Sequence, residues 1–370
     1  MKDTLITKYD YIDALRGFAI LAVIMVHSSL WIHPTSNLLN KISLQGAQGV
    51  QLFFIASALT LFLSMNGRKN IEAHPTINFF IRRFFRIAPL FYLAIIVYTL
   101  YDGKSFYYWA PNGLKWWYIA LTALFMHGWH LETINSVVPG GWSIAIEMTF
   151  YLIVPYLFGK LKNISSTLLF LFSALITSKI LSVLIIQIIS PHYKVSQQYL
   201  VDAFLYSWFF SQLPIFILGI LLYQVVIKFP EKDKQIALPL LLISFLLFYS
   251  FLGANTFSNL LPSHFLYGIA FFLFSLSLHF YPQIFFVNRM TIFIGRLSFS
   301  IYVAHFLVLK IVGPFLTSRL ATQGNIEFLT MFLIITTLSI GVSFFTHKFI
   351  ETPGINIGKK IIEKFQDKQQ

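Results

Sequence analysis

Long apolar runs, separated by short polar segments, occupy most of this chain. Ten of these runs are close to the length of about 20 residues that an α-helix needs to cross a bilayer. They lie at approximately 11–31, 49–65, 86–101, 142–158, 167–189, 203–227, 236–252, 262–280, 293–313 and 326–346. The pattern predicts an all-α polytopic membrane protein with about ten transmembrane helices. A shorter apolar run at 116–126 predicts a re-entrant or interfacial segment.

The positions of lysine and arginine predict how the chain is threaded, because loops on the cytoplasmic side carry an excess of these residues. If 116–126 does not cross and the N-terminus is inside, 20 of the 27 basic residues lie inside, five lie outside and two lie within spans. If 116–126 does cross, ten lie inside and 15 lie outside. We therefore predict ten crossings, both termini cytoplasmic, and residues 116–126 on the outer side.

Composition agrees with a membrane protein and narrows the chemistry. The sequence is 57% hydrophobic and 11% charged, with a mean hydropathy of +0.72, which excludes a soluble globular protein. The sequence has no cysteine, which excludes disulfides, thiolate catalysis and cysteine-based metal sites. The net charge of +13 follows the positive-inside rule and does not indicate a nucleic-acid partner. No small-residue cleavage site follows the first run, so we expect that run to be retained.

The first predicted helix, Tyr9 to Ser29, carries ionisable residues into the bilayer. Asp13, Arg16 and His27 fall on one face, since Arg16 and His27 differ by roughly 20° in direction and about 16 Å in depth. Such groups usually face a bundle interior or a wet cavity and mark function. The alternative is structural, with Arg16 reaching the inner interface, Asp13 as its partner and His27 packed at the outer end. We predict that this face lines a site.

A second basic cluster begins the third predicted crossing. The segment FFIRRFFRIAPLFYL places Arg83 and Arg86 on one helix face at the inner membrane surface, beside Arg82. One interpretation is ordinary positive-inside anchoring. The other is a phosphate clamp, because guanidinium groups bind phosphate bidentately and stay charged.

The segment GGWSIAIEMTFYLIVP enters the bilayer from the outer side, starting at Trp142. Ser143 and Glu147 are four residues apart and therefore share a helix face. A carboxylate inside hydrocarbon needs a partner. In the ten-crossing topology Glu147 and His27 lie at comparable depths, so we predict that they meet.

The outer region before this helix is rich in aromatic residues. They form either a platform on which sugar rings stack or an interfacial aromatic belt. His127, His130 and Glu132 are metal-ligand types, but their spacing matches no known site, so we predict no metal.

The late segment IGRLSFSIYVAHFLVLK places Tyr302 and His305 in or near the start of a crossing, where they either shape the cavity or pack within the bundle. The end of the chain, 355–370, is basic and amphipathic, and we expect it to lie along the inner leaflet. We divide the chain into a membrane-embedded domain at 1–352 and a cytoplasmic tail at 353–370.

Five segments together resemble the signature of the integral-membrane acyltransferase family 3, and they follow the family's order across almost the whole chain. ALRGFAILAVIMVH is similar to its arginine and histidine separated by ten residues, and RRFFRIAPL to its paired-arginine motif. WSIAIEMTFYLIVP resembles its WS-x-x-x-E-x-x-x-Y segment, LSFSIYVAHF its SIY-x-x-H segment and FIETP its closing FIE-x-P.

The resemblance implies a ten-helix core in the bacterial cytoplasmic (inner) membrane. Such a core takes an acyl group, usually acetyl, from cytoplasmic acyl-CoA and transfers it to a hydroxyl of an extracytoplasmic glycan or lipid-linked glycan. Acetyl-CoA, or another acyl-CoA, is then a co-substrate and not a bound cofactor. Some relatives continue into an extracytoplasmic hydrolase-like domain. This chain stops at Gln370, so we expect transfer to be completed within the membrane core or by a separate partner.

These expectations give the candidate residues their roles. Making an ester from a thioester needs a base or an acyl-accepting nucleophile, and His27 is the candidate for either role, with Glu147 orienting it or stabilising its imidazolium. The residues expected to bind the phosphates of coenzyme A are Arg16, Arg83 and Arg86. Those expected to bind or enclose the substrate are Trp142, Ser143, Tyr302 and His305.

Two other functions fit parts of the pattern. A transporter or flippase for a lipid-linked glycan would line its path with the same buried charges, but the sequence has no inverted pair of broken helices. A structural membrane protein would leave Arg16, His27 and Glu147 as an unexplained destabilising feature.

Overall fold

The computed structural model of the protein describes residues 9–103, 106–230, 233–253, 261–320 and 323–367. The start of the predicted domain, residues 1–8, and the end of the predicted tail, residues 368–370, lie outside the described residues. Five basic residues counted for the topology also lie outside them: Lys2, Lys8, Lys104, Lys232 and Lys368. The described residues are almost entirely helical and contain no strand.

The fifteen α-helices of the described residues are α1 (Asp10–Ser29), α2 (Asn37–Gln45), α3 (Gly49–Arg68), α4 (Pro75–Asp102), α5 (Trp116–Ala123), α6 (Trp142–Lys160), α7 (Ile164–Ile188), α8 (Gln198–Ser207), α9 (Phe209–Lys228), α10 (Lys234–Gly253), α11 (Ser263–Phe280), α12 (Arg289–Arg296), α13 (Ser298–Arg319), α14 (Asn325–Thr346) and α15 (Thr352–Asp367).

The predicted membrane architecture is confirmed. Within the described part of the chain, ten helical segments are long and apolar enough to cross a membrane, and each corresponds to one predicted run. α5 has eight residues, which is about 12 Å of helix against a hydrocarbon core of about 30 Å. It is too short to cross, as predicted for 116–126. The chain is a multi-pass membrane protein.

Several crossings are longer than the predicted runs, and one run is interrupted. The run at 293–313 is interrupted at Leu297 (φ −90°, ψ −1°), which separates α12 from α13. The crossing is therefore Ser298–Arg319. Arg296 and Ser298 flank the break, but apolar residues continue on both sides of them, so the hydropathy pattern was interpreted as one run.

The chain forms two compact units, and the first contains residues 1–67 and 218–349. α1 and α12 pack closely in this unit, and their contact requires glycine. A Cβ added to Gly295 would lie 1.7 Å from the carbonyl oxygen of Asp13, and one added to Gly17 would lie 2.3 Å from that of Thr291. α12 begins with a capping box at Asn288, which fixes its start beside α1.

The second unit contains residues 68–217 and 350–370. α6 packs through Phe150, whose ring stacks on Phe216 with centroids 4.0 Å apart. α15 lies along α4, where Gly354 approaches Pro89 and Phe85. The basic tail is thus a helix packed on α4, while the proposed boundary at 352–353 stays a prediction.

Candidate active site

α1 places Asp13 and Arg16 one turn apart in the first unit, where they form an ion pair of 3.7 Å between Arg16 Nη1 and Asp13 Oδ1. Asp13 Oδ2 also accepts a hydrogen bond from Nε of Arg296, at 3.2 Å. Arg16 Nη2 donates to Thr60 Oγ1 at 3.0 Å. Asp13 is therefore the ion-pair partner of Arg16, as one interpretation of the sequence predicted. Arg16 is held in a defined orientation between α1 and α3.

His27 lies near the end of α1 beside His305 of α13. Their ring centroids are 5.4 Å apart, and the ring planes are inclined by 36°. Phe306 contacts both histidines, with its ring 4.3 Å from that of His27 and 4.2 Å from that of His305. Tyr302 is one turn before His305, with centroids 5.7 Å apart. Three predicted site residues thus converge within this unit.

His305 is fully buried and its orientation is fixed by the backbone. Its Nδ1 lies 2.8 Å from the carbonyl oxygen of Tyr302 and 3.2 Å from that of Ile301. Because carbonyl oxygens only accept hydrogen bonds, Nδ1 must carry the hydrogen. In the neutral ring the lone pair is therefore on Nε2.

The second unit brings Glu147 together with Arg83 through Tyr151, the tyrosine of the WS-x-x-x-E-x-x-x-Y segment, to which the sequence analysis assigned no role. The hydroxyl of Tyr151 donates to Glu147 Oε1 at 2.6 Å. The guanidinium carbon of Arg83 lies 5.9 Å from the centre of the Tyr151 ring and 5.7 Å from that of Phe79. Arg86 also interacts electrostatically with Tyr151. The predicted carboxylate and the predicted arginines are therefore linked by one tyrosine.

Arg82, near the start of α4, is paired with an acidic residue. Glu72 Oε1 accepts hydrogen bonds from Arg82 Nη1 at 2.7 Å and Arg68 Nη1 at 2.9 Å. Burial would raise the pKa of Glu72, but the hydrogen bonds from Arg82 and Arg68, with the charge of Arg82, more than offset burial and lower it. Glu72 is thus a charged anchor for the loop before α4. The sequence signal for the ion pair between Glu72 and Arg68 was their spacing of four residues.

Trp142 and Ser143 lie at the start of α6, and both are buried. The Trp142 ring is 5.9 Å from Tyr206. The Ser143 hydroxyl donates to the carbonyl of Gly140 at 3.2 Å. These contacts hold the beginning of α6, and the assignment of both residues to substrate stays a prediction.

His127 supports the same helix start. It is buried, with Nε2 2.9 Å from the carbonyl oxygen of Gly141, and its ring stacks on Phe91 at 5.7 Å. Burial lowers the pKa of His127 to about 4, although the bond to Gly141 opposes this change. Within the described residues, no three His, Cys, Asp or Glu side chains are grouped so that they could hold a metal ion.

The predicted residues therefore form two groups, one in each unit. In the first unit, His27, Tyr302 and His305 lie together, and Arg16 lies on α1, the helix that also carries His27. In the second unit, Glu147 is linked to Arg83 through Tyr151. His27 and Glu147 belong to different units, and their pairing stays a prediction. Sequence reasoning also gave no partner role to Arg296, Thr60 or Phe306, which are brought to the site from distant segments.

Comparisons with known proteins agree with the motifs. The sequence model of a family described as an acyltransferase domain matches residues 9–348. O-acetyltransferase OatA of Staphylococcus aureus is 24% identical over 385 aligned positions, which cover 92% of this chain and 56% of the relative. Peptidoglycan O-acetyltransferase OatA of Listeria monocytogenes is 30% identical over 161 positions, which cover 39% of this chain and 23% of the relative.

The chain thus matches about half the length of the Staphylococcus aureus relative and a smaller part of the Listeria one. No solved structure matches this chain. The family match extends over nearly all of the described residues and includes four of the five motifs in full. The chain therefore belongs to acyltransferase family 3.

Proposed function

We propose that this protein is a membrane O-acyltransferase that moves an acyl group, most simply acetyl, from cytoplasmic acyl-CoA to a hydroxyl of an extracytoplasmic glycan or lipid-linked glycan. The observation that carries this proposal is the pair His27 and His305, two imidazoles side by side within membrane-spanning helices. Acyl transfer to a hydroxyl needs a group of this kind. The relatives named as O-acetyltransferases, one of them acting on peptidoglycan, support the acceptor class.

His27 is the proposed reacting group, and two roles remain compatible with its position. As a base, it takes the proton of the acceptor hydroxyl while that oxygen attacks the thioester carbonyl; the C–S bond breaks and the coenzyme A thiolate takes up the proton. As a nucleophile, its nitrogen first attacks the thioester carbonyl, the C–S bond breaks and the thiolate leaves. The acceptor oxygen then attacks the acyl carbonyl, the C–N bond to His27 breaks, and the hydroxyl proton passes to the freed nitrogen and from it to solvent, which protonates the thiolate. Either role places positive charge on the ring, which the carboxylate of Glu147 is proposed to stabilise.

The basic groups are proposed to bind the co-substrate. Arg16, Arg83 and Arg86 would neutralise the phosphates of coenzyme A, because guanidinium groups stay charged and match phosphate geometry. The aromatic contacts of Arg83 keep its charge oriented. Trp142 and Ser143 would contact the acceptor. The surrounding membrane is proposed to be the bacterial cytoplasmic membrane.

The test is mass spectrometry of surface glycans. The source bacterium, with this gene deleted, is complemented with the wild-type gene or with the His27→Ala or His192→Ala variant. His192 is an exposed histidine between α7 and α8 and provides the matched control. We expect wild type and His192→Ala to restore an acyl mass increment on the glycan. His27→Ala should reduce it by about 100-fold or more, the usual contribution of a general base.

Membrane levels of all three proteins are measured in the same cells. The mass of the increment identifies the donor acyl group. If glycan acylation is unaffected by deletion while the amount of surface glycan falls, the acyltransferase proposal is wrong and transport of a lipid-linked glycan replaces it.

A further inference from the structure

His305 has one nitrogen committed to the backbone and one that faces no protein partner. Nδ1 is held by the carbonyl groups of Tyr302 and Ile301. Nε2 is buried and has no hydrogen-bond partner in the described part of the chain. A buried acceptor left without a hydrogen bond destabilises a protein. Packing alone therefore does not explain why a histidine occupies this position.

His27 is a ring neighbour of His305 and carries nitrogens that could pair with it. The centroid separation of 5.4 Å is close to the spacing of two imidazoles joined by a single N–H to N hydrogen bond, roughly 5 Å for a donor–acceptor distance of about 3 Å. Phe306 lies against both rings and limits their rotation. The ring separation is therefore compatible with a hydrogen bond from an N–H of His27 to Nε2 of His305.

We propose that His305 is a positioning residue for His27. Its Nε2 accepts a hydrogen bond from one ring nitrogen of His27, which directs the lone pair of the other nitrogen of His27 towards the substrate. This inference rests on the proposed acyltransferase function and deepens it. It applies whether His27 accepts a proton or an acyl group, since in both roles the opposite N–H stays bonded to His305.

Two substitutions of His305 separate positioning from packing. In His305→Asn the amide overlies Nδ1 and keeps a donor for the backbone carbonyls, but no acceptor remains at Nε2. In His305→Gln the amide oxygen reaches the position of Nε2 and can accept from His27. Positioning therefore predicts that the glutamine variant retains activity and the asparagine variant loses it, whereas a purely structural role predicts the reverse order.

The assay follows release of coenzyme A by the purified full chain in detergent, with acetyl-CoA and soluble peptidoglycan fragments as the probes. The chain contains no cysteine, so a thiol reagent detects only the released coenzyme A. We expect His305→Asn to lower kcat by about 100-fold or more, with KM for acetyl-CoA within about threefold. His305→Gln should stay within about tenfold of wild type, the effect of weakening one hydrogen bond.

His279→Gln is the matched control, because His279 is also buried and bonds a backbone carbonyl, that of Phe229, through Nε2 at 2.9 Å. We expect the kcat of this variant for coenzyme A release to be unchanged.

A second measurement uses the wild-type protein alone. The 15N chemical shifts of the histidine ring nitrogens should show that His305 carries hydrogen on Nδ1 and accepts a hydrogen bond at Nε2.

The outcomes distinguish the two proposals. If wild type releases no coenzyme A in response to the acceptor, and its gene does not affect glycan acylation, the proposed function fails and this inference with it. If wild type is active but His305→Asn matches it, or the 15N shifts place the hydrogen on Nε2, only the role of His305 is overturned.

Discussion

At the scale of single residues, the environment of Glu147 explains how a carboxylate is tolerated inside a membrane-spanning helix. Tyr151, one turn further along α6, donates to Glu147 at 2.6 Å. This hydrogen bond satisfies one carboxylate oxygen within the helix. Arg83 lies over the same tyrosine ring. Tyr151 therefore controls both the orientation of Glu147 and the contact with the proposed phosphate-binding arginine.

Replacing Tyr151 with phenylalanine separates these two effects. The ring that Arg83 contacts is kept, and only the hydroxyl is lost. A hydrogen bond to a charged group is worth about 1.5–3 kcal/mol, which corresponds to roughly 10-fold to 150-fold in rate. We expect kcat for coenzyme A release to fall by that factor, with KM for acetyl-CoA little changed.

Tyr156→Phe is the control for this change, because Tyr156 lies on the same helix with 65% of its surface exposed. It should leave kcat unaltered. If Tyr151→Phe raises KM and leaves kcat intact, the hydroxyl serves the binding of acetyl-CoA and does not position Glu147.

Local spacing predicted only part of this site. The i,i+3 geometry of a helix gave the Asp13 and Arg16 pair, which the structure contains. Helix geometry gave no indication that Arg296 bonds Asp13 or that His305 lies beside His27. Each of these contacts joins residues about 280 positions apart in the sequence. Periodicity describes one helix at a time, and these contacts depend on which helices are neighbours.

At the scale of helices, the contact between α1 and α12 determines the arrangement of the first unit. Gly295 has no room for a side chain, because a Cβ would overlap the carbonyl oxygen of Asp13 at 1.7 Å. The next residue, Arg296, bonds the Asp13 side chain. Any residue larger than glycine at 295 must therefore separate the two helices and weaken this ion pair.

We expect Gly295→Ala to destabilise the protein by about 1–3 kcal/mol or more, the usual effect of overpacking. The measurement is the midpoint of thermal unfolding in detergent, together with the yield of folded protein. Gly341→Ala in α14 is the matched control, since nothing lies within 4 Å of the added Cβ. Both changes gain the same helix propensity, about 1 kcal/mol.

If the two alanine variants unfold at the same temperature, the backbone of α12 has moved to accommodate the methyl group, and close contact at Gly295 is not required for stability. If Gly295→Ala alone is destabilised, the glycine is there to allow helix approach.

Hydropathy predicted the ten crossings, because each must bury about 20 apolar residues in lipid, but it did not predict how helices start, stop and join. The break at Leu297 follows from α12 being capped by Asn288 and held against α1. The last crossing continues through a π-helical turn at His347–Glu351 into α15. The contact of α12 with α1 is tertiary, so a hydropathy pattern does not describe it.

At the scale of the whole molecule, the distribution of basic residues predicts the orientation in the membrane. With α5 too short to span, the predicted topology assigns 20 basic residues to the inside and five to the outside, whereas a crossing there would assign ten and 15. Each basic residue on the wrong side opposes insertion. The proposed reaction also depends on this orientation, because the donor is cytoplasmic and the acceptor is external.

The chain itself supplies the background for testing this topology, since it contains no cysteine. Single cysteines at Lys162 and Lys194 are placed before and after α7, and both lysines are exposed. A membrane-impermeant maleimide added to intact cells, or to spheroplasts where an outer membrane is present, should label Lys194→Cys and leave Lys162→Cys unlabelled until the membrane is opened.

Lys69→Cys and Lys115→Cys are the matched controls, because they precede α5 and keep their sides in either topology, inside and outside respectively. If these controls behave as expected while Lys162→Cys and Lys194→Cys exchange their labelling, residues 116–126 must cross the membrane after all. Glu147 would then enter the bilayer from the cytoplasmic side, far in depth from His27, and the proposed role of Glu147 in stabilising charge on His27 would be lost. The labelling pattern therefore tests the predicted topology and the proposed partner of His27 in one experiment.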